Sequence, residues 1–402
     1  MNVIILGAGA SKSYQDSETK EKMPIATDFF STFNRLEISK NTWVLVGYIL
    51  NYLDRFHNLK FNDFREYNED IEKLHSEIEN RLIEAFKLNK DGFNDVDSLM
   101  TCNAYVQLNF LFNSVINEIQ NGSVSKSHIK LTQKLSSNDT ILTFNWDTLM
   151  DRALEQETNW STDNGYFLTP NLIYRNEWVS PSSQEKTDFP YLIKLHGSTN
   201  WLTSYMIAEE GKFKLLQEIA PDEFFVYEST IKPYNTYDGR FMSGYSDFSY
   251  GYYPPNLPLI GKKLPDDMLL VRNIIRTGYN PKGVSEDKGL VSMPLIIPPV
   301  QEKKYDFYGN LFEKLWNKAE ESLIKTDKIT IIGYSFPKTD IKTDELFKNA
   351  FSKKNSMPEI IIVNPYPESI IEKFTFDYGI FNEKIKVHKE YFSENFDFKK
   401  IE

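Results

Sequence analysis

The stretch Met1-Asn2-Val3-Ile4-Ile5-Leu6-Gly7-Ala8-Gly9-Ala10-Ser11 decides the fold class. Asn2–Leu6 is short, β-rich and apolar enough for burial on both faces, and it runs straight into a glycine turn. Runs of this kind belong to parallel strands, which helices cover on either side. The same build recurs at Thr140–Phe144, Tyr191–Leu195, Lys328–Ile332, Glu359–Val363 and Lys384–His388. Between them, Leu311–Ile324 sets Leu311, Leu315, Ala319 and Leu323 on one face of a 3.6-residue period. Strand–helix–strand alternation toward the C-terminus predicts βαβ units. The expected fold is α/β, a doubly wound, mainly parallel Rossmann-like sheet.

Two long segments interrupt the alternation. Residues 41–135 read as a helical insertion: Ile71, Leu74, Ile78, Leu82 and Ala85 share one helix face, and Leu108, Leu111, Phe112, Val115 and Ile119 another. Residues 205–291 are rich in Tyr, Phe, Pro and Gly, as in Tyr250-Gly251-Tyr252-Tyr253-Pro254-Pro255, and read as an irregular aromatic insertion, a cover or a contact surface. Neither an internal repeat nor a Gly/Ser linker divides the chain. It is therefore read as a single domain, 1–402, with both insertions packed on one sheet.

Composition narrows the function classes. The 402 residues are 41% hydrophobic and 14% aromatic, which is enough to build a large core and excludes a disordered chain. Lys and Arg number 46 against 57 Asp and Glu, a formal charge of −11. So acidic a balance argues against direct nucleic-acid binding. The single cysteine, Cys102, rules out an internal disulfide and any multi-cysteine zinc site. It fits a reducing cytoplasm, and no metal is expected. No apolar run approaches the roughly 20 residues that span a bilayer, and the N-terminus lacks the basic region of a signal peptide. A soluble cytoplasmic protein is the expectation.

Chemistry gathers where the strands end. Gly7-Ala8-Gly9-Ala10-Ser11 follows a strand, as in loops whose backbone N–H groups approach a pyrophosphate. A hydride-transfer fingerprint would need a third glycine where Lys12 stands; Asp28 lies at the right distance for its acidic residue but beyond a polar, non-strand stretch. A plain tight turn is the competing explanation. Thr143-Phe144-Asn145-Trp146-Asp147 closes the second strand. Either Asn145 or Asp147 could cap the helix that follows, and one of them suffices, so the other needs a different reason. His196 ends the third strand, where a structural histidine is the commoner case. Its four fellows, His57, His75, His128 and His388, lie in helical or terminal contexts. Gly333-Tyr334-Ser335 and Asn364 repeat the theme of a strand followed by a small or amide residue.

In this order the motifs resemble the sirtuin family, and more closely a bacterial sirtuin-like branch of NAD-consuming defence proteins. The resemblance implies that Gly7, Ala8, Gly9, Ala10 and Ser11 bind the dinucleotide phosphates. It implies that Asn145, in a T-x-N-x-D motif with Thr143 and Phe144, contacts the nicotinamide ribose and positions the reacting water or carbonyl. His196 matches the family's base at the ribose hydroxyls, and Asp147 would orient Asn145 or a hydroxyl. Gly333, Tyr334 and Ser335 would face phosphates and ribose, and Asn364 the adenosine ribose. Met23-Pro24-Ile25-Ala26-Thr27-Asp28-Phe29 only dimly echoes the family's G-I-P-D-F-R stretch, through Pro24 and Asp28, and has no Arg at its end. The four-cysteine zinc ribbon of protein-deacylating sirtuins is absent. Some defence members carry a further C-terminal nucleotide-sensing domain; the last strand lies close to Glu402, and none is expected here.

The activity expected from the resemblance is NAD hydrolysis to nicotinamide and ADP-ribose, with NAD as substrate, in the service of antiphage defence by NAD depletion. An NAD-dependent deacylase or ADP-ribosyltransferase, or a non-catalytic NAD- or ADP-ribose-binding subunit, are the alternatives. Nicotinamide leaves carrying its positive charge away, so no strong acid is needed, and a histidine with a pKa of about 6.5 serves as base at neutral pH. The resemblance further implies a homo-oligomer and a HerA-type ATPase or other defence partner.

Overall fold

Six strands form one parallel sheet: β1 (Asn2–Leu6), β2 (Thr140–Thr143), β3 (Tyr191–Lys194), β4 (Lys328–Ile332), β5 (Glu359–Val363) and β6 (Ile385–His388). The order across the sheet is β6-β5-β4-β1-β2-β3. The computed structural model describes residues 1–88, 95–175, 177–182, 188–204, 206–209, 212–215, 224–228, 268–270, 292–298, 310–337 and 340–402. β1 is central, with Val3 beside both Ile329 and Thr140, and its Val3 and Ile5 are wholly buried. Burial of such side chains contributes roughly 1.5–3 kcal/mol each, which is why these runs could be read as two-faced strands. β6 departs from that reading. It is an edge strand, only half buried, and its alternation of Ile385 and Val387 with Lys386 and His388 matches a single covered face.

Helices follow the expected faces. α8 (Leu311–Lys325) buries Leu311, Leu315, Ala319 and Leu323 and packs against α9 (Ile341–Ser352), the crossover between β4 and β5. The 41–135 segment carries α3 (Thr42–His57), α4 (Ile71–Leu88), α5 (Val96–Gln120) and α6 (Lys126–Thr132). Its core, with Leu45, Ile49, Ile78, Leu108, Leu111 and Val115, also takes in Phe29, Phe30 and Phe33 of α2 (Phe29–Arg35).

A second, mixed sheet was not expected. Ile173–Tyr174, Trp178–Val179, Gly197–Ser204, Phe225–Tyr227 and Ser292–Ile296 form five strands. Three more segments, Met206–Glu209, Lys212–Leu215 and Met268–Leu270, form a small antiparallel sheet. Parts of the 205–291 segment are thus regular β-structure; its Tyr250–Pro255 run lies outside the described residues.

Candidate functional site

The sheet order reverses between β1 and β4, and at such a switch point connections diverge and leave a crevice beyond the carboxyl ends of the strands. The two loops that leave there touch backbone to backbone. Gly7 N donates to Ile332 O at 3.1 Å and Gly9 N to Gly333 O at 2.9 Å. A Cβ on Gly9 would stand 2.8 Å from Gly333 Cα, and one on Gly333, whose φ is +63°, 2.4 Å from Ala10 N. These glycines therefore serve the close approach of two loops. Because Ala10 N also donates, to Gly7 O at 2.9 Å, three of the four N–H groups of Gly7–Ala10 are committed inside the fold.

Beside this contact, at the ends of β1 and β2, side chains form a relay. Asn145 Nδ2 donates to Gly7 O and to Ser11 Oγ, both at 2.8 Å. A carbonyl can only accept, so the Gly7 contact fixes which end of the Asn145 amide points inward. Ser11 Oγ in turn donates to Asp147 Oδ2 at 2.5 Å, while Asp147 Oδ1 accepts from Leu149 N at 3.1 Å as α7 (Leu149–Glu157) begins. Asp147 thus serves the helix start. Asn145 is the residue with a different task, turned back toward β1. Thr143 Oγ1 accepts from Asn145 N at 3.1 Å and holds the strand end in shape.

The relay forms part of the wall of a cleft of about 590 Å³, counted out to its mouth. Ala8, Ser11, Pro24, Asn145 and Asp147 line it, as do Met23, Ile25, Phe29 and Trp146; Ile71 and Glu72 of α4 and Phe112 and Ile116 of α5 close it. Its walls are mostly apolar, and the charged groups among the lining residues are two carboxylates, Glu72 and Asp147. Behind it lies Lys194 on β3, 1% exposed, whose Nζ donates to Asp147 O at 2.6 Å and to Asp151 Oδ2 at 3.0 Å. Tyr166 OH donates to the other oxygen of Asp151 at 2.5 Å, so both oxygens of this buried carboxylate are hydrogen-bonded, and Lys194 braces the Asp147 backbone. From the α5 side, Gln120 Oε1 accepts from Thr148 N at 2.8 Å.

The other expected site residues sit elsewhere. His196 is 3% exposed and lies outside the cleft lining, packed between the rings of Phe144 (centroids 5.2 Å apart) and Trp146 (5.7 Å). Its Nε2 is 3.8 Å from Asp340 Oδ1, and Asp340 Oδ2 accepts from Tyr334 OH at 2.5 Å. Phe144 and Tyr334 stack at 4.2 Å with planes 10° apart. At the ends of β4 and β5, Ser335 is exposed, and Asn364 Oδ1 accepts from Tyr366 N at 2.9 Å as an Asx turn. Asp28 pairs with Lys12 at 3.0 Å and accepts from Ile25 N at 2.7 Å, which shapes the segment that carries Pro24. Sequence reasoning missed Asp340, Glu72, Lys194 and Gln120. Asp340 carries no local signal, since it meets His196 only through the fold.

No helix among the described residues is long and apolar enough to cross a membrane. The described residues also hold no group of three or more His, Cys, Asp or Glu side chains suited to a metal ion. No protein-family model matches the chain, and no curated protein matches it. Several solved structures are similar to it, among them two Sir2 structures. One comes from work on the mechanism and regulation of Sir2 enzymes, at 14% identity over 96% of this chain and 86% of that chain, with a TM-score of 0.35. The other is Sir2Af2 bound to a myristoylated histone peptide, at 14% identity over 76% and 77%, with a TM-score of 0.29. The functional reading therefore rests on this chain's own residues.

Proposed function

We propose that the chain is a sirtuin-like enzyme that hydrolyses NAD to nicotinamide and ADP-ribose and serves antiphage defence by depleting NAD. The observation that carries the reading is the Asn145–Ser11–Asp147 relay, set in the wall of a mostly apolar cleft at the carboxyl ends of β1 and β2. Those residues fit the nicotinamide-ribose half of NAD. Apolar walls suit the flat ring, the carboxylates of Glu72 and Asp147 suit its positive charge, and the relay offers hydrogen bonds to ribose hydroxyls. Bound there, NAD supplies a leaving group that departs without a strong acid.

This chain's residues then divide the work. Asn145, its amide nitrogen engaged twice, presents Oδ1 as an acceptor that orients a hydroxyl or a water. Asp147 holds the Ser11 proton and so keeps the Asn145 plane fixed. His196, paired with Asp340, serves as the base. The Gly7–Ser11 loop, with Ala8 at the cleft, stands toward the phosphates, and Gly333, Ser335 and Asn364 toward the adenosine half. We assign 1–402 to one domain with insertions at 41–135 and 205–291, working in the cytoplasm as a homo-oligomer beside a HerA-type ATPase or another defence partner.

Incubating the purified protein with NAD alone and separating the products by chromatography tests the reading. Nicotinamide and ADP-ribose in equal amounts are expected, and intact NAD after prolonged incubation with the candidate partner present would sink it. A second reading, a subunit that binds NAD or ADP-ribose without cleaving it, draws support from the burial of His196 outside the cleft lining. Binding by calorimetry without product would select it.

A further inference from the structure

Lys194 ends β3 in register with Thr143, which ends β2, and β2 leads into the loop that carries Asn145 and Asp147. The division of work proposed for the cleft gives this lysine no task. It is nevertheless a full charge held inside the fold, paired with the equally buried Asp151. Taking an ammonium and a carboxylate out of water is expensive, and apolar side chains of similar volume fill such a place as well or better. Stability alone therefore does not account for the pair.

Its geometry is more specific than its charge. Asp147 O precedes Thr148, the cap of α7, and so lies outside the helix ladder; Lys194 Nζ reaches it at 2.6 Å. The same nitrogen reaches Asp151 Oδ2, in the first turn of α7, at 3.0 Å. Lys194 thus ties down the loop and the helix it enters at two points four residues apart. Tyr166 backs the pair, its hydroxyl donating to Asp151 Oδ1 and accepting from Asn200 Nδ2 at 3.3 Å. The preceding carbonyl, Trp146 O, is held by Thr199 N at 2.8 Å and Ser198 Oγ at 3.2 Å. Both carbonyls that follow Asn145 are therefore fixed by β3 and the chain that leaves it.

On the cleft side, the Asp147 carboxylate accepts from Ser11 Oγ, which in turn accepts from Asn145 Nδ2. One continuous series of contacts runs from Asn200 through Tyr166, Asp151, Lys194, Asp147 and Ser11 to Asn145. We propose that Lys194 is a positioning residue: by holding Asp147 O it fixes the loop between β2 and α7, and with it the direction in which the Asn145 amide meets the cleft. The buried ion pair is the means by which a charged donor is kept at that carbonyl. The kinetic side of this proposal rests on the NAD-cleaving reading of Asn145; its geometric side does not.

Variants of the full chain separate positioning from stability. Lys194→Met/Asp151→Leu/Tyr166→Phe replaces the charges and the hydroxyl that served them with apolar side chains of similar volume. Tyr166→Phe alone is the control, because it leaves the contact between Lys194 and Asp147 in place. The control should keep kcat for NAD within about threefold of wild type. The triple variant should melt close to the control yet lose about 100-fold in kcat, the cost of an ångström of misplacement, with KM changed by no more than about threefold. A folded triple variant that turns over NAD like the control would overturn the proposal. Should that variant not fold, Lys194→Gln/Asp151→Asn replaces it, a neutral hydrogen-bonding pair one bond shorter at position 194. It should lose about tenfold in kcat, and no loss would again overturn the proposal. A crystal structure of whichever variant folds reads the geometry without turnover: the contact of Asn145 Nδ2 with Ser11 Oγ, 2.8 Å in the native chain, should open. An unchanged relay would overturn the positioning role even if wild type leaves NAD intact, whereas an opened relay beside an inactive wild type would sink the hydrolase reading and leave the positioning role standing.

Discussion

The carboxyl ends of β1 and β2 differ from those of β4 and β5, although both carry a strand followed by small or amide residues. On the first side Asn145 reaches across to Gly7 and Ser11 and takes its place in the wall of a cleft. On the second side Asn364 folds back on its own backbone, and Tyr334 packs its ring on Phe144 while its hydroxyl holds Asp340. One sequence theme thus has two physical uses. What separates them is cover: α4 and α5 close the cleft over β1 and β2, whereas Ser335 at the end of β4 is exposed.

The sharpest way to break this contrast is to delete the two amides in turn. Asn145→Ala should lower NAD cleavage by about 10³-fold, the scale of a lost positioning or proton-handling group. It should also cost about 1–3 kcal/mol of stability, because Gly7 O and Ser11 Oγ lose a buried partner. Asn364→Ala loses a local turn contact, and its kcat should stay within about threefold of wild type, a change of well under 1 kcal/mol in the barrier. Steady-state kinetics with denaturant melts separate the two effects. Equal losses from both variants would erase the distinction between the two strand ends.

A smaller effect is expected where the two sides touch. Gly9→Ala forces a Cβ to within 2.8 Å of Gly333 Cα, and the atoms it meets are all backbone of Gly333, so the loops must part. We expect a loss of about 2–4 kcal/mol in urea melts, within the range of strain at such contacts. Ala8→Ser, at the neighbouring position that lines the cleft, should change stability by no more than about 1 kcal/mol. If Gly9→Ala melts like wild type, the close packing of the two loops is not what the glycine serves.

Much of this frame was legible in the sequence, for a physical reason. A strand covered on both faces must be apolar throughout, so β1 to β5 announce themselves, and β6 did so through its isoleucine and valine while hiding that it is an edge. The reasoning that one of Asn145 and Asp147 would start the helix also leads to the observed division of labour. The mixed sheet stayed hidden because its strands at Ile173–Tyr174 and Trp178–Val179 are two residues long, and this short hairpin joins the sheet only through Val226 and Tyr227, far along the chain. No periodicity survives at that length. Asp340, Lys194 and Gln120 were invisible for a related reason: each acts through tertiary contacts, among them those with His196, Asp147 and Thr148 respectively, that no spacing encodes.

The smallest expected effect is pH-dependent and should fall on one side only. His75 of α4 is completely buried against Tyr105, and neither ring nitrogen has a hydrogen-bond partner among the described residues. Burial holds its pKa down at about 3, against 6.5 for a free imidazole. The folded form therefore refuses a proton that the unfolded chain accepts. Stability from this group is fully present above pH 6.5 and is lost as pH falls below it, by about 1.4 kcal/mol per unit until the folded pKa is reached. Between pH 7.5 and 5.5 the loss should be about 1.4 kcal/mol, and His75→Phe should remove that slope. Because His75 sits on the helix that brings Ile71 and Glu72 to the cleft, the loosening should appear in α4 and α5 before it appears in β4 and β5. Hydrogen exchange at the two pH values reads both regions at once. Faster exchange confined to the helices at pH 5.5, and absent in His75→Phe, would tie the cover of the cleft to this one imidazole, whereas equal acceleration in both regions would mean that the helices and the strand ends of β4 and β5 open as one unit.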